Sequence, residues 1–357
     1  MAAAYNLGTA VGRIRIDSSD LRSLQSTLLG AGQGLLIFGG VAAAGFAKIV
    51  GTAAEFESSI SKIAAISDTT EKELDQLRKV AIKFGQDTAF GANEAARSFE
   101  TLAKAGFSAK EIIDGVGEST LRLAAAGDIT LDESADVMAS AIRTFGLGAD
   151  QAVHVANVIA GAANESQIDV RDFAYSLKYV GGVANAAGIP IEDVAAAIAV
   201  LGENGIKAST AGTSLRKMFI SLNPSSKKAA SLMKELGIIT ADGKNQFFDA
   251  TGKAKSFKEI LEVLSTATKG LSDEQKLQAF NTLFGNRAMA AALLLVREGT
   301  GDFERMKAAI GNTTAEEVAE KKLDNLAGSW KKFKSSIETL FITSGSPLQS
   351  GLKTLVD

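Results

Sequence analysis

TLDESADVMASAIRTFGL, Thr130 to Leu147, is a whole helix written with its own punctuation. Thr130 and Glu133 form a capping-box pattern: the hydroxyl accepts from an orphan N–H of the first turn, and the glutamate reaches back. At the far end, Phe145-Gly146-Leu147 puts glycine where the backbone must turn left-handed. An apolar residue follows it, ready to fold back on the last turn. The same opening recurs at Thr70–Glu73, Ser108–Glu111, Ser256–Glu259, Ser272–Gln275 and Thr314–Glu317. The same ending recurs at Ala105–Phe107, Ala187–Ile189, Asn204–Ile206 and Leu236–Ile238. The chain from about residue 55 to 237 therefore reads as a run of short capped helices. Their spacing is irregular, so it does not read as a strict solenoid.

Composition agrees with a mainly helical fold. The 357 residues are 46% hydrophobic and 22% charged, which suits a folded core rather than disorder. Three prolines leave long helices unbroken. Net charge is −3, so no bulk basicity draws the chain to nucleic acid, and no sequence-specific nucleic-acid binding is expected. With no cysteine and one histidine, disulfides, thiolate metal sites and most general-base constellations are excluded.

Working toward the N-terminus, Phe56, Ile60 and Ile63 form an apolar helical stripe, and Leu74, Leu77, Ala81 and Phe84 form the next. Before them lies LLGAGQGLLIFGGVAAAGFAKIVGTAA, Leu28 to Ala54, with one amide, Gln33, and one charge, Lys48. Its length matches a hydrocarbon core, although its many glycines weaken it as a helix. It is expected to be an apolar helix, with Leu35, Leu36, Ile37, Phe38, Val41 and Phe46 as membrane-insertion candidates. Residues 1–27 read as a short strand over Val11–Asp17 and a helix capped by Asp20. They do not read as a signal peptide, since no Lys or Arg stands in the first twelve residues.

Toward the C-terminus, Asp242-Gly243 between apolar runs and a second turn near Thr251-Gly252 signal a small β-hairpin near 238–252. Leu323, Leu326, Trp330, Phe333, Ile337 and Leu340 then step by alternating threes and fours. That is an a/d seam of the kind that pairs helices in a coiled coil. Gly345, Ser346 and Pro347 interrupt it, and Leu348, Leu352 and Leu355 resume a helical stripe that is expected to continue beyond Asp357.

No catalytic or metal site emerges. His154 sits in a helical pattern with no second histidine to complete a site. Asp128, Asp132, Glu133 and Asp136 cluster, but they lack calcium-loop spacing, and acids at a helix start favour its dipole. Gly205–Thr213 (GIKASTAGT) has no GK[ST] ending and follows no strand, so it reads as a turn into a helix. Lys321, Lys322, Lys331, Lys332 and Lys334 flank the seam and read as a solvated face on an oligomerising helix. No enzyme activity and no cofactor are expected.

Several blocks together resemble one family. They are FGQDTAFGANEAARSFETLAKAGF, STLRLAAAGDITLDESADVMASAIRTFGL, YSLKYVGGVANAAGIPIEDVAAAIAVLGENGIKASTAGTSLRKMF and LFGNRAMAAALLL. Over roughly residues 50 to 300 they resemble the core domain of phage tail tape-measure proteins. The resemblance implies a virion structural protein in the tail tube lumen that sets tail length during assembly in the host cytoplasm. It implies tail tube protein, tail-tip or hub proteins and tail assembly chaperones as partners. It also implies a homo-oligomer, for which three copies suit the seam, and contact with the host inner membrane as DNA leaves. A tape needs length: wholly helical, 357 residues would span on the order of 540 Å at about 1.5 Å per residue. The competing reading is a membrane-inserting, pore-forming effector that uses the 28–54 segment. The expected organisation is thus a 1–27 strand-helix segment, a 28–54 apolar helix, a 55–316 helical core and a 317–357 coiled-coil-like helix.

Overall fold

The computed structural model describes the backbone of residues 41–356 and the side chains of 48–345. The chain forms two compact units, the larger of residues 58–336 and the smaller of residues 1–57 with 337–357. The elements are α1 (Val41–Ile66), α2 (Glu71–Asp87), α3 (Ala92–Lys104), α4 (Ala109–Glu111), a π-helical turn (Ile112–Val116), α5 (Gly117–Gly127) and α6 (Leu131–Thr144). A 3₁₀ turn (Ala149–Gln151) leads to α7 (Ala152–Asn164), α8 (Val170–Ala187), α9 (Ile191–Glu203), α10 (Ala208–Ile220) and α11 (Lys227–Glu235). After an irregular segment come α12 (Phe257–Thr268), α13 (Asp273–Phe284), α14 (Asn286–Gly311), α15 (Ala315–Leu323) and α16 (Leu326–Val356). The fold is mainly helical, as the sequence predicts, and no strand occurs among the described residues.

The helix punctuation forms as read. Both halves of the capping box are made at Thr70, Ser108, Thr130, Ser256 and Ser272. At Thr314 the hydroxyl accepts from Glu317 N. Gly106, Gly146, Gly188, Gly205 and Gly237 all take positive φ. Behind four of these stops the apolar N–H returns to the helix: Phe107 to Leu102 O, Leu147 to Ile142 O, Ile189 to Ala184 O and Ile206 to Leu201 O. Each bond satisfies a carbonyl that the helix end would leave orphaned.

The core of the larger unit is built by crossing helices. α8 and α10 pack most extensively. A Cβ on Gly212 would collide with the backbone of Ser176, so only glycine permits this approach. Beside it Ser176 Oγ donates to Ala208 O at 2.7 Å. That bond helps hold Ala208 at φ 48°, a left-handed conformation alanine rarely adopts. Ser214 Oγ in turn donates to Arg287 O at 3.1 Å, joining the GIKASTAGTSLR segment to LFGNRA. Phe219, Phe257 and Phe303 pack edge to face in sequence, with centroids 5.4 and 5.5 Å apart.

The structure corrects two expectations. The hairpin near 238–252 is instead two consecutive tight turns, each closed by a single antiparallel bridge, Ile239 with Asn245 and Phe248 with Ala254. Thr240 N bonds Lys244 O, and Asp249 N bonds Lys253 O, so the chain reverses twice within one short segment. No run between the reversals is long enough to build a ladder. The apolar helix expected over 28–54 is corrected where it is described. From Val41 the helix continues to Ile66, with Ala53, Phe56, Ile60 and Ile63 buried and Glu55, Glu57 and Lys62 between them. Among the described residues no helix is long and apolar enough to cross a membrane. Residues 1–40, including the strand and Asp20-capped helix, lie outside the described residues.

In the smaller unit Gly345 does not interrupt its helix, since α16 runs through it. A Cβ there would stand 2.8 Å from Ala53 Cβ and 3.0 Å from Ile49 O. What reads in sequence as a breaker is a close helix–helix approach.

Candidate interaction surface

α15 and α16 carry the outstanding surface of the molecule. α15 has Glu316 and Glu317 in its first turn and Lys321 and Lys322 in its last, matching the helix dipole at both ends. It stops because Asp324 takes φ −78° and ψ 62°. Asn325 serves both helices across the break. Its Nδ2 donates to Lys322 O at 2.7 Å, and its Oδ1 accepts from Gly328 N at 2.9 Å as an N-cap. The six predicted seam residues are therefore divided, with Leu323 on α15 and the other five on α16.

α16 buries its small side chains and exposes its apolar stripe. In its first turns Gly328 and Ser335 are buried, followed by Thr339 and Ile342. The seam side chains face out: Leu326 is 87% exposed, Trp330 56%, Phe333 44% and Ile337 38%, with Leu340 half-buried. Trp330 and Phe333 stack with centroids 5.4 Å apart at 24°. Lys334 Nζ lies 5.7 Å from the Trp330 ring, a cation–π approach.

α15 buries Ala315, Val318 and Ala319, and polar bonds tie its end and the first turns of α16 to the rest of the larger unit. Lys322 Nζ donates to Ala126 O at 2.5 Å, at the C-terminal end of α5, where exposed carbonyls favour a cation. Lys331 Nζ lies 3.4 Å from Asp128, itself at φ 50° capping the same helix. Ser335 Oγ stands 2.6 Å from both Gly85 O and Phe90 O, sharing one proton between two acceptors. Lys321 and Lys332 are exposed.

The remaining sequence candidates do not converge on this surface or on each other. His154 is half-exposed and bonds Glu192 through Nε2. Glu133 closes the α6 capping box and also accepts two bonds from Arg171, at 2.9 and 3.0 Å. Those Arg171 bonds, then the Thr130 N–H, hold its carboxyl down at about 2. Asp132 and Asp136 are exposed. Among the described residues no three His, Cys, Asp or Glu are placed to hold a metal ion. Gly205–Thr213 is the stop of α9 and the start of α10. Of the membrane-insertion candidates, Leu35, Leu36, Ile37 and Phe38 lie outside the described residues, and Val41 and Phe46 fall on α1. Two open grooves, of about 250 Å³ beside Leu236, Ile238 and Glu262 and about 390 Å³ between α11 and α13, hold no nucleophile–base pair.

Sequence reasoning missed two buried carboxylates, Glu100, which pairs with Lys62 and Lys104, and Asp193. Asp193 is 2% exposed, accepts from Phe257 N at 3.1 Å and pairs with Lys307 at 2.5 Å. It ties α9 to α12 and α14. Burial works to lower the Lys307 value, but the bond to Asp193 outweighs it and the net shift is upward. In the sequence Asp193 looks like an ordinary acid in a first helical turn.

The described residues thus form short capped helices joined by glycine stops, with an exposed apolar stripe along the start of α16. A sequence model of phage-related minor tail proteins matches residues 78–285, and the chain belongs to that family. It is 35% identical over 96% of its length to a tape measure protein of Pneumococcus phage Dp-1, covering 30% of that protein. It is 30% identical over 84% of its length to a probable tape measure protein of Escherichia phage P2, covering 37% of that one. The chain thus spans about a third of the length of the curated relatives it matches. No solved structure matches it.

Proposed function

We propose that this chain is the helical core of a phage tail tape measure. It sets tail length during assembly and lies in the tail tube lumen, among tube protein, tail-tip proteins and assembly chaperones. It works as a homo-oligomer whose copies meet along the α16 stripe. The observation that carries the oligomer is the outward direction of Leu326, Trp330, Phe333 and Ile337. Burying what each such side chain still exposes is worth about 1 kcal/mol, and heptad spacing aligns like with like between copies. The tail role is supported by identity over nearly the whole chain to a protein named as a tape measure. Among the described residues no helix is long and apolar enough to cross a membrane, and the reading assigns none to them.

Two experiments test it. Peptide mapping of purified phage tails should recover residues 55–300; their absence from tails would sink the tail reading. An in-frame insertion of one further helical segment should lengthen the tail, by no more than about 1.5 Å per residue. Tails of unchanged length would remove the measuring role and leave a different tail component.

A further inference from the structure

The sequence places six seam residues in one line, whereas the structure folds the chain between the first and second of them. That disagreement is local and has identifiable causes. A single residue, Asp324, leaves the helical region. Asn325 caps the new helix, and Gly328 then passes so close to the end of α15 that a Cβ would collide with the Leu323 carbonyl and Cα. The bent junction is therefore possible only with glycine at position 328. A straight helix makes no such demand, and there glycine is the poorer residue.

What holds the bent form is polar. Between Leu326 and Ser336 the buried side of α16 is Gly328 and Ser335, so no large apolar side chain anchors this part of the helix. Asp128 and Lys331 are both largely exposed, a setting in which ion pairs are weak and screened by salt. The apolar side is only partly covered, so docking leaves much of its surface in water.

We infer that the first turns of α16, Leu326–Ser336, are a hinged arm. In a single chain this arm is bent back at Asp324–Asn325. When a second copy covers the stripe, the hinge straightens, α15 and α16 become one helix, and Leu323 joins the seam. This rests on the oligomer reading above, and the two fail in different ways.

The chain contains no cysteine, so paired labels can be placed cleanly. Nitroxides on the Asp128→Cys, Lys331→Cys double variant report the distance between arm and core by pulsed electron spin resonance, read alongside sedimentation. A short distance in dilute monomer, replaced by a longer one as copies associate, is expected. Gly328→Ala should raise the long-distance fraction at least several-fold at equal concentration, with the melting curve of the core preserved. Association with the distance still short, and Gly328→Ala without effect on it, would overturn the hinge and leave the oligomer standing. A chain that never associates would overturn both.

Discussion

The α8–α10 crossing and the first turns of α16 use small residues for opposite ends. At the crossing, Gly212 lets two backbones touch, and around it Phe173, Leu177, Leu215, Met218 and Phe219 are all buried. On α16, Gly328 and Ser335 are buried instead, while Leu326, Trp330 and Phe333 face outward. One region buries its apolar surface within the chain, and the other leaves much of it exposed. A helix docked by its small residues keeps its apolar stripe toward solvent.

The largest expected effect lies in the committed region. Phe257→Ala removes the ring that joins Phe219 and Phe303 and should cost about 4 kcal/mol, seen as a lower urea midpoint. Lys307→Met leaves Asp193 buried with only the Phe257 N–H and should cost about 3 kcal/mol by the same measurement. Gly212→Val should cost about 3 kcal/mol through overpacking against Ser176, where the obstacle is backbone and cannot turn aside. A loss within measurement error at Gly212 would break the comparison at its firmer end.

A smaller effect is pH-dependent. Glu133 titrates at about 2 when folded, below the ordinary glutamate value near 4.3. A depressed carboxylate contributes stability above the unfolded value, and that contribution is lost as pH falls from about 5 toward 2. Arg171→Met should flatten this acid limb in melts taken across that window. The change should be modest because the pair is half-exposed. The smallest effect on stability belongs to the arm: Leu326→Ser should change the unfolding free energy of the monomer by less than about 0.5 kcal/mol, as an exposed site does.

Much of the fold was legible in the sequence because helix ends are local chemistry. A hydroxyl three residues before a glutamate, or a glycine before an isoleucine, acts within one turn, so Thr130 and Gly146 could be read without knowing any neighbour. Tertiary approach is another matter. Nothing local distinguishes Gly345, which meets Ala53 and Ile49, from a helix breaker. The Asp193 carboxylate differs from any first-turn acid only through Lys307, more than a hundred residues away. The α16 stripe was legible by period alone, but its degree of exposure was not, because an apolar stripe can equally turn toward its own core and only the fold decides. The double turn at 238–254 failed as a hairpin because turn chemistry marks a reversal without saying whether enough chain follows to pair.

The central claim is that the α16 stripe joins copies of this chain. Sedimentation velocity of the purified protein over a wide concentration range, beside the Leu326→Ser, Phe333→Ser double variant, tests it most directly. The account predicts reversible association of the natural sequence, a monomeric variant, and matching melting curves for the two at concentrations where both are monomeric. A natural chain that stays monomeric throughout, or a variant that associates equally well, would contradict it.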